Sequence, residues 1–256
     1  MKKKPKIVFW DIETSGIIAT TWNLYPESIA HQNMLQDWFI VCVAWKEQGK
    51  KKVHTVSVLD DPERFKKNNA DDYFVIKTLR DMLEDVDILI HHNGNSFDLK
   101  AFTARLIFHK LPPLPKFLTI DTLREVKKVA KFTSHRLDFL GQVLCGEGKM
   151  QTPPGTWLKA MKGDRSAIKL MLDYNKVDVI VLEKVYDAIR PYIKNHPHIG
   201  ALNGEDKNHS CKACGSTELK KNGTRLTAAG IKRQEWQCTS CGSYSSYPIL
   251  KLDGIN

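Results

Sequence analysis

The sequence predicts an α/β fold, a mixed sheet flanked by helices on both faces, with a small cysteine-bearing unit towards its C-terminal end. Three observations carry that expectation. Apolar, strand-like segments near residues 6–12, 38–46 and 51–58 come first. Helical patterns near 73–85, 97–109, 122–130, 136–144 and 164–190 then alternate with strand patterns near 87–91 and 117–121, as helices packed on a sheet require. Four of the six cysteines fall in two Cys-x-x-Cys pairs after residue 208. With 256 residues, 42% hydrophobic and 27% charged, the chain has room for one large domain and a small second one.

The first strand pattern is Ile7-Val8-Phe9-Trp10, four large apolar residues in a row, as in a strand buried on both faces and therefore central. It runs into Asp11-Ile12-Glu13. Strand side chains alternate, so Asp11 and Glu13 point to one face. Two anions side by side repel unless a cation lies between them, and a hard divalent ion held by oxygens is the simplest candidate. The competing reading is a pair of solvated loop acids. The next segment, Ser15 to Asp37, is long for a strand connection and carries Trp22, Leu24 and Tyr25. It reads equally well as a substrate-facing loop or as a local hydrophobic cluster.

A second acidic motif follows the apolar segment 87–91, where the turn His92-Asn93-Gly94-Asn95 opens a helix at about Phe97 with Asp98 in its first turn. Dipole stabilisation alone would explain an acid there. The third lies within the helical pattern 164–190. Tyr174 and Asp178 are four residues apart and share a face, while Leu170, Val177, Val181 and Val185 make the expected packing stripe. The bland alternative is a surface Asp and a half-buried Tyr. Asp121 and Asp138 read as a strand-end acid and a helix cap. Gly146 to Trp157, with Pro153-Pro154-Gly155, reads as irregular chain that could flank the same cleft.

Cys42 and Cys145 read as small core residues. Cys211-x-x-Cys214 and Cys238-x-x-Cys241, each followed by Gly, predict a four-cysteine zinc ribbon holding one structural Zn²⁺, because four thiolates close a tetrahedral site and leave His209 a bystander. Asn222-Gly223 and Ala229-Gly230 are expected hairpin turns, and Gln234 to Gln237 a strand entering the second knuckle. The expected organisation is a first domain over 1–195, a polar linker over 196–208 and the ribbon over 209–256. A formal charge of +10 and a pI near 9.2 suit a polyanionic partner. The apolar run after Lys2-Lys3-Lys4-Pro5-Lys6 is too short for a secretory core, and no stretch approaches a membrane span, so a cytosolic protein of a bacterium or phage-infected cell is expected.

Asp11, Glu13, Asp98 and Asp178, with Tyr174 four residues before the last, resemble the motifs of the DEDD (DnaQ-like) 3′→5′ exonuclease superfamily, whose fold is RNase H-like. The Tyr-x-x-x-Asp spacing is similar to its tyrosine branch; the histidine branch would place His where Asp173 stands. The resemblance extends over roughly residues 5–195 and is nearest to proofreading domains of family B DNA polymerases and to stand-alone phage exonucleases. The segments around Phe117–Leu123 and Ser134–Leu140 also look like those domains. The resemblance implies two Mg²⁺ or Mn²⁺ ions roughly 4 Å apart. Asp11 would bridge them, Glu13 and Asp178 would complete the first site, and Asp98 would serve the second. Tyr174 would orient the attacking water, since an unperturbed phenol is protonated at neutral pH. The implied substrate is single-stranded nucleic acid, DNA in preference to RNA, with an exoribonuclease as the alternative. A nucleic-acid-binding adaptor whose ribbon docks a replication or transcription partner is the other rival, and in Lys221-Asn222-Gly223 and Gln234–Gly242 the ribbon loosely resembles those of transposases and transcription-linked proteins. Trp22, Tyr25, Asn93, Lys220, Lys221, Arg225, Lys232, Arg233 and Trp236, with Tyr244 nearby, are the candidate nucleic-acid contacts.

Overall fold

The run after Lys6 forms β1 (Ile7–Thr14), and Ile7 to Trp10 are all buried in the computed structural model, which describes residues 4–148 and 150–249. Lys2 and Lys3 of the opening basic run lie outside the described residues. A two-stranded excursion follows, β2 (Ile18–Ala19) and β3 (Met34–Gln36), before β4 (Ile40–Glu47) and β5 (His54–Ser57) return antiparallel. Two helices come next, α1 (Pro62–Lys67), capped by the Asp61 carboxylate, and α2 (Tyr73–Leu83). Then β6 (Ile88–His91), α3 (Asp98–Phe108), β7 (Leu118–Asp121) and α4 (Thr122–Val129) alternate as the pattern predicts. Three further helices, α5 (Leu137–Cys145), α6 (Thr156–Met161) and α7 (Arg165–Ile189), precede the short α8 (Ile199–Leu202) and the strands β8 (Leu219–Leu226), β9 (Lys232–Cys238) and β10 (Tyr244–Pro248).

The main sheet has the order β5-β4-β1-β6-β7, with β1 antiparallel to β4 and parallel to β6, so the expected mixed sheet with a central first strand is present. Its core packs Trp10, Val41 and Val43 of the sheet, with Phe39 just before β4, against Ile76, Leu79 and Leu83 of α2 and Phe102 of α3. The Trp10 and Phe102 rings meet edge-on, with centroids 5.9 Å apart. Cys42 is buried here as expected, whereas Cys145 is half-buried at the end of α5.

The chain divides into two compact units. One is Lys6–Arg124 with Phe132–Val185; the other gathers the described residues of Met1–Pro5, Glu125–Lys131 and Tyr186–Asn256. Within the second unit the stretch expected as a linker is folded. Ile199 N–H donates to Lys212 O at 2.8 Å, and His198 Nε2 meets the Tyr247 hydroxyl at 3.0 Å. Polar composition suggested a linker because the groups that order this stretch are backbone amides and imidazoles, which leave no hydrophobic pattern.

The ribbon is a three-stranded sheet, β10-β9-β8. Each cysteine pair closes the same knuckle: Cys211 N–H bonds Ser216 O and Gly215 N–H bonds Cys211 O, and Cys238, Ser243 and Gly242 repeat the pattern. Gly215 and Gly242 sit at φ +79° and +78°, a conformation that costs glycine nothing. Gly230 turns β8 into β9 as expected, through Thr227 N–H to Ile231 O. Asn222-Gly223 does not make a hairpin turn. It lies inside β8, where the register shifts between Lys221 and Thr224, so its positive-φ glycine forms a bulge.

Candidate active site and cysteine cluster

Asp11 and Glu13 lie on the far half of β1, beyond Phe9, the last β1 residue with a partner on β6. Because β6 ends first, the sheet opens here and side chains from other elements enter. Carboxylate oxygens of Asp11, Glu13 and, from α7, Asp178 all lie within 4.8 Å of one another. Three like charges at that separation repel strongly, and the convergence of hard oxygen donors suits a divalent cation. The local potential registers on Cys42, paired across the sheet from Glu13: burial pushes its thiol well up, and the charges of Glu13 and Asp11 push it further.

Asp98, the first residue of α3, is buried and does not belong to that triad. Its Oδ1 accepts from Ile12 N–H at 3.3 Å, serving β1 where β6 no longer does. The loop that delivers it is fixed by Asp121, whose carboxylate accepts from the backbone N–H groups of Asn93 (2.9 Å), Asn95 (3.3 Å) and Arg124 (3.3 Å). So the strand-end acid is a structural clamp. Asp138 is not the N-cap of α5, a position held by Arg136; it accepts from the neighbouring Phe139 N–H.

Below the same loop lies His91, fully buried. Trp10 Nε1–H donates to its Nδ1 at 3.3 Å, which leaves the proton on Nε2, facing Asn95 Oδ1 at 3.1 Å. Burial pushes this imidazole down to about 4, against the opposing influence of Asp121, so it is neutral.

The face of α7 differs from the expected one. Leu170 and Val177 are only half-buried, although Val181 and Val185 are buried as expected. The stripe that packs inward runs Ile168, Met171, Asn175, Asp178, Leu182 and Val185, spaced alternately three and four. Two of its positions are polar, and both reach the carboxylate cluster. Asn175 was missed in the sequence. Its Nδ2 donates to Asp11 Oδ2 at 2.6 Å, and its Oδ1 is buried without a hydrogen-bond partner among the described residues. The signal that finds it is an Asn in an otherwise apolar three–four register. Tyr174 is half-buried one position before, its ring edge-on to Trp157 of α6 with centroids 5.6 Å apart. The stretch from Gly146 is irregular up to Gly155 among its described residues, as expected, and α6 begins at its end and supplies the flank that holds Tyr174.

The candidate contacts outside the triad separate into groups. Every residue from Thr20 to Gln32 is exposed, with Trp22 at 98% and Tyr25 at 93%, so the hydrophobic-cluster reading of this loop fails. Asn93 is exposed at φ +70°, a turn conformation that Asn tolerates. In the ribbon, Arg225 pairs with Glu235, Arg233 bonds Ser246, and Lys221 lies 5.8 Å over the Trp236 ring. Lys220 and Lys232 stay exposed, as does Tyr244.

The four ribbon cysteines bring their Sγ atoms within 4.8 Å of one another, with Cys211–Cys241 at 3.7 Å and Cys214–Cys238 at 3.6 Å. Disulfide sulfurs stand about 2.05 Å apart. Four sulfurs at about 2.3 Å from one tetrahedral ion stand about 3.8 Å apart, so this donor set fits a metal. His209 instead bonds Asp206, as a bystander does.

Among solved structures, the chain is similar to the family B DNA polymerase of the hyperthermophilic archaeon Pyrobaculum calidifontis, with a TM-score of 0.55 at 12% identity. The match covers 90% of this chain and 32% of that one, so this chain spans about a third of the polymerase's length, and the likeness is one of fold. No curated protein matches the chain in sequence. A family model described as RNase_H superfamily matches residues 8–190, which take in all of the main sheet but Ile7, the carboxylate triad, Asp98 and Tyr174. The chain belongs to the RNase H superfamily.

Proposed function

We propose that the chain is a metal-dependent 3′→5′ exonuclease that hydrolyses phosphodiester bonds of single-stranded nucleic acid, DNA in preference to RNA. The observation that carries this reading is the convergence of Asp11, Glu13 and Asp178 at the open end of the central strand, with Tyr174 on the same helix. All the donors are hard oxygens, which fits Mg²⁺ or Mn²⁺. Asp11, Glu13 and Asp178 would hold one ion, and Asp11 with Asp98 a second. Ions bound there supply Lewis-acid stabilisation of the phosphate and acidify water. The chain's residues do the positioning. Asn175 fixes the rotamer of Asp11, and the Tyr174 hydroxyl orients the attacking water while Trp157 supports its ring. The DNA preference is supported by the likeness to a DNA polymerase.

The nuclease is assigned to residues 1–195 and a one-zinc ribbon to 209–256. Trp22 and Tyr25 are assigned to stacking on bases. The Ser15–Asp37 segment has no Lys or Arg, so it meets a strand through ring faces and not through phosphates. Asn93, Lys220 and Lys232 are secondary contacts. Matched DNA and RNA oligonucleotides labelled at the 5′ end, incubated with Mg²⁺ or Mn²⁺, test the reading. A ladder shortening from the 3′ end, faster on DNA, is expected. Internal cuts, release of the 5′ label first, or faster loss of RNA would overturn it.

A further inference from the structure

We propose that a basic hollow between α1 and the α6–α7 turn is a second phosphate-binding site, which holds phosphodiesters of the substrate strand away from the reacting bond. The inference rests on the nuclease reading for the identity of the strand. The hollow, of about 570 Å³, is bordered by Lys66 and Lys67 from the end of α1 and by Lys162 and Arg165 from the turn into α7. Glu63 is the one acid on its lining. Two fixed contacts build it from segments far apart in sequence. Asn69 Nδ2 donates to Met161 O at 3.0 Å, joining the loop after α1 to the end of α6. The Arg165 guanidinium stands 5.4 Å over the Phe65 ring, which holds this cation at the rim.

These four cations converge on one concave surface, and none of them forms an ion pair among the described residues. Some other surface cations sit beside acids, as in Lys77–Asp81, Lys128–Glu125, Lys176–Asp173 and Lys184–Glu147. Uncompensated like charges around a concavity focus potential and draw a polyanion. The lining is polar apart from Pro62 and Phe65, which disfavours an apolar partner surface. Position selects the strand as the occupant. Arg165 and the site residues Asn175 and Asp178 lie on one helix, 10 to 13 residues apart, or about 15–20 Å at 1.5 Å per residue. Sites for single strands span about 4–16 nucleotides, so one strand reaches both places. The chain leaving β1 also passes this end of α6: a Cβ built on Gly16 would stand 3.8 Å from Met161 Sδ.

The test is fluorescence anisotropy with the full chain carrying Asp11→Ala, so that binding is read without hydrolysis. An oligothymidylate of about 20 nucleotides and one of about 3 serve as probes. Combined Lys66→Ala, Lys67→Ala and Lys162→Ala should weaken binding of the long probe at least tenfold and leave the short one unchanged. The slope of log affinity against log salt should fall by about 2, near 0.7 per lost contact. Lys162→Glu alone should act in the same direction, and unchanged thermal melting keeps the comparison valid. Unchanged affinity and slope on the long probe would overturn the proposal, as would calorimetric binding of inorganic phosphate lost in the triple variant while strand affinity stays constant. Triple-sensitive strand binding by a protein whose unmutated form degrades nothing would support this site and sink the nuclease reading instead.

Discussion

Asn175 is the residue that ties the long helix to the carboxylates, through a 2.6 Å bond to Asp11. A hydrogen bond to a charged group contributes about 1.5–3 kcal/mol, so Asn175→Ala should cut hydrolysis by about 10–100-fold. It should also raise the metal concentration needed for half-maximal rate, whereas a purely structural role would lower thermal stability and leave the metal titration in place. Tyr174→Phe keeps the ring against Trp157 and removes the hydroxyl. Positioning groups contribute about 10²–10⁴-fold, and an orienting phenol belongs at the low end, so initial rates should fall about a hundredfold with melting unchanged. An unaltered rate would make Tyr174 a packing residue. The convergence of Asp11, Glu13 and Asp178 was legible in the sequence because strand alternation and helix periodicity fix which faces they share. Asn175 was not, since only its place in a buried register distinguishes it from a surface amide.

The site depends on where elements end: β6 stops at His91, and the turn over its imidazole carries Asp98 to β1. A Cβ on Gly94 would come within 2.4 Å of the His91 ring, so Gly94→Ala forces the turn or the ring to move. Overpacking of that kind costs about 1–3 kcal/mol, which urea unfolding should detect. His91 also makes stability depend on pH. Its folded pKa of about 4 lies below an unfolded value near 6.5, so folding favours the neutral ring. That contribution is complete above about pH 6.5 and is lost as pH falls toward 4, by on the order of 3 kcal/mol. Unfolding midpoints taken between about pH 7 and 4.5 should fall more steeply for the wild type than for His91→Asn. Parallel slopes would refute the assignment. The main strands and long helices were legible because their apolar periods are long. Pro62–Lys67 and Thr156–Met161 span too few turns to show a period, and the Asn222-Gly223 bulge has the composition of a turn.

The whole chain joins two units whose stability has different sources. The main sheet rests on a buried apolar core, whereas the buried cluster of the ribbon is little more than Cys211, Ala213 and Cys238. A unit with so little core would draw its folding energy from a metal held by the four cysteines. One zinc per chain is expected. Chelation, or Cys238→Ser, should abolish amide protection in β8–β10 by hydrogen exchange while the main sheet stays protected; loss of both together would contradict separate stabilisation. Among the described residues no helix is long and apolar enough to cross a membrane. At this scale the central place of the first strand was legible, because a strand buried on both faces must be central. The folded stretch 196–208 was not, because backbone and imidazole hydrogen bonds order it. The proposed function stands on Asp11, Glu13 and Asp178 forming a metal-dependent hydrolytic site. Its most direct test is the Mg²⁺-dependent release of mononucleotides from a single strand by the wild type and by Asp11→Ala. Release should stop on chelation and be abolished in Asp11→Ala while strand binding persists; release by Asp11→Ala at the wild-type rate would rule out the metal-dependent site.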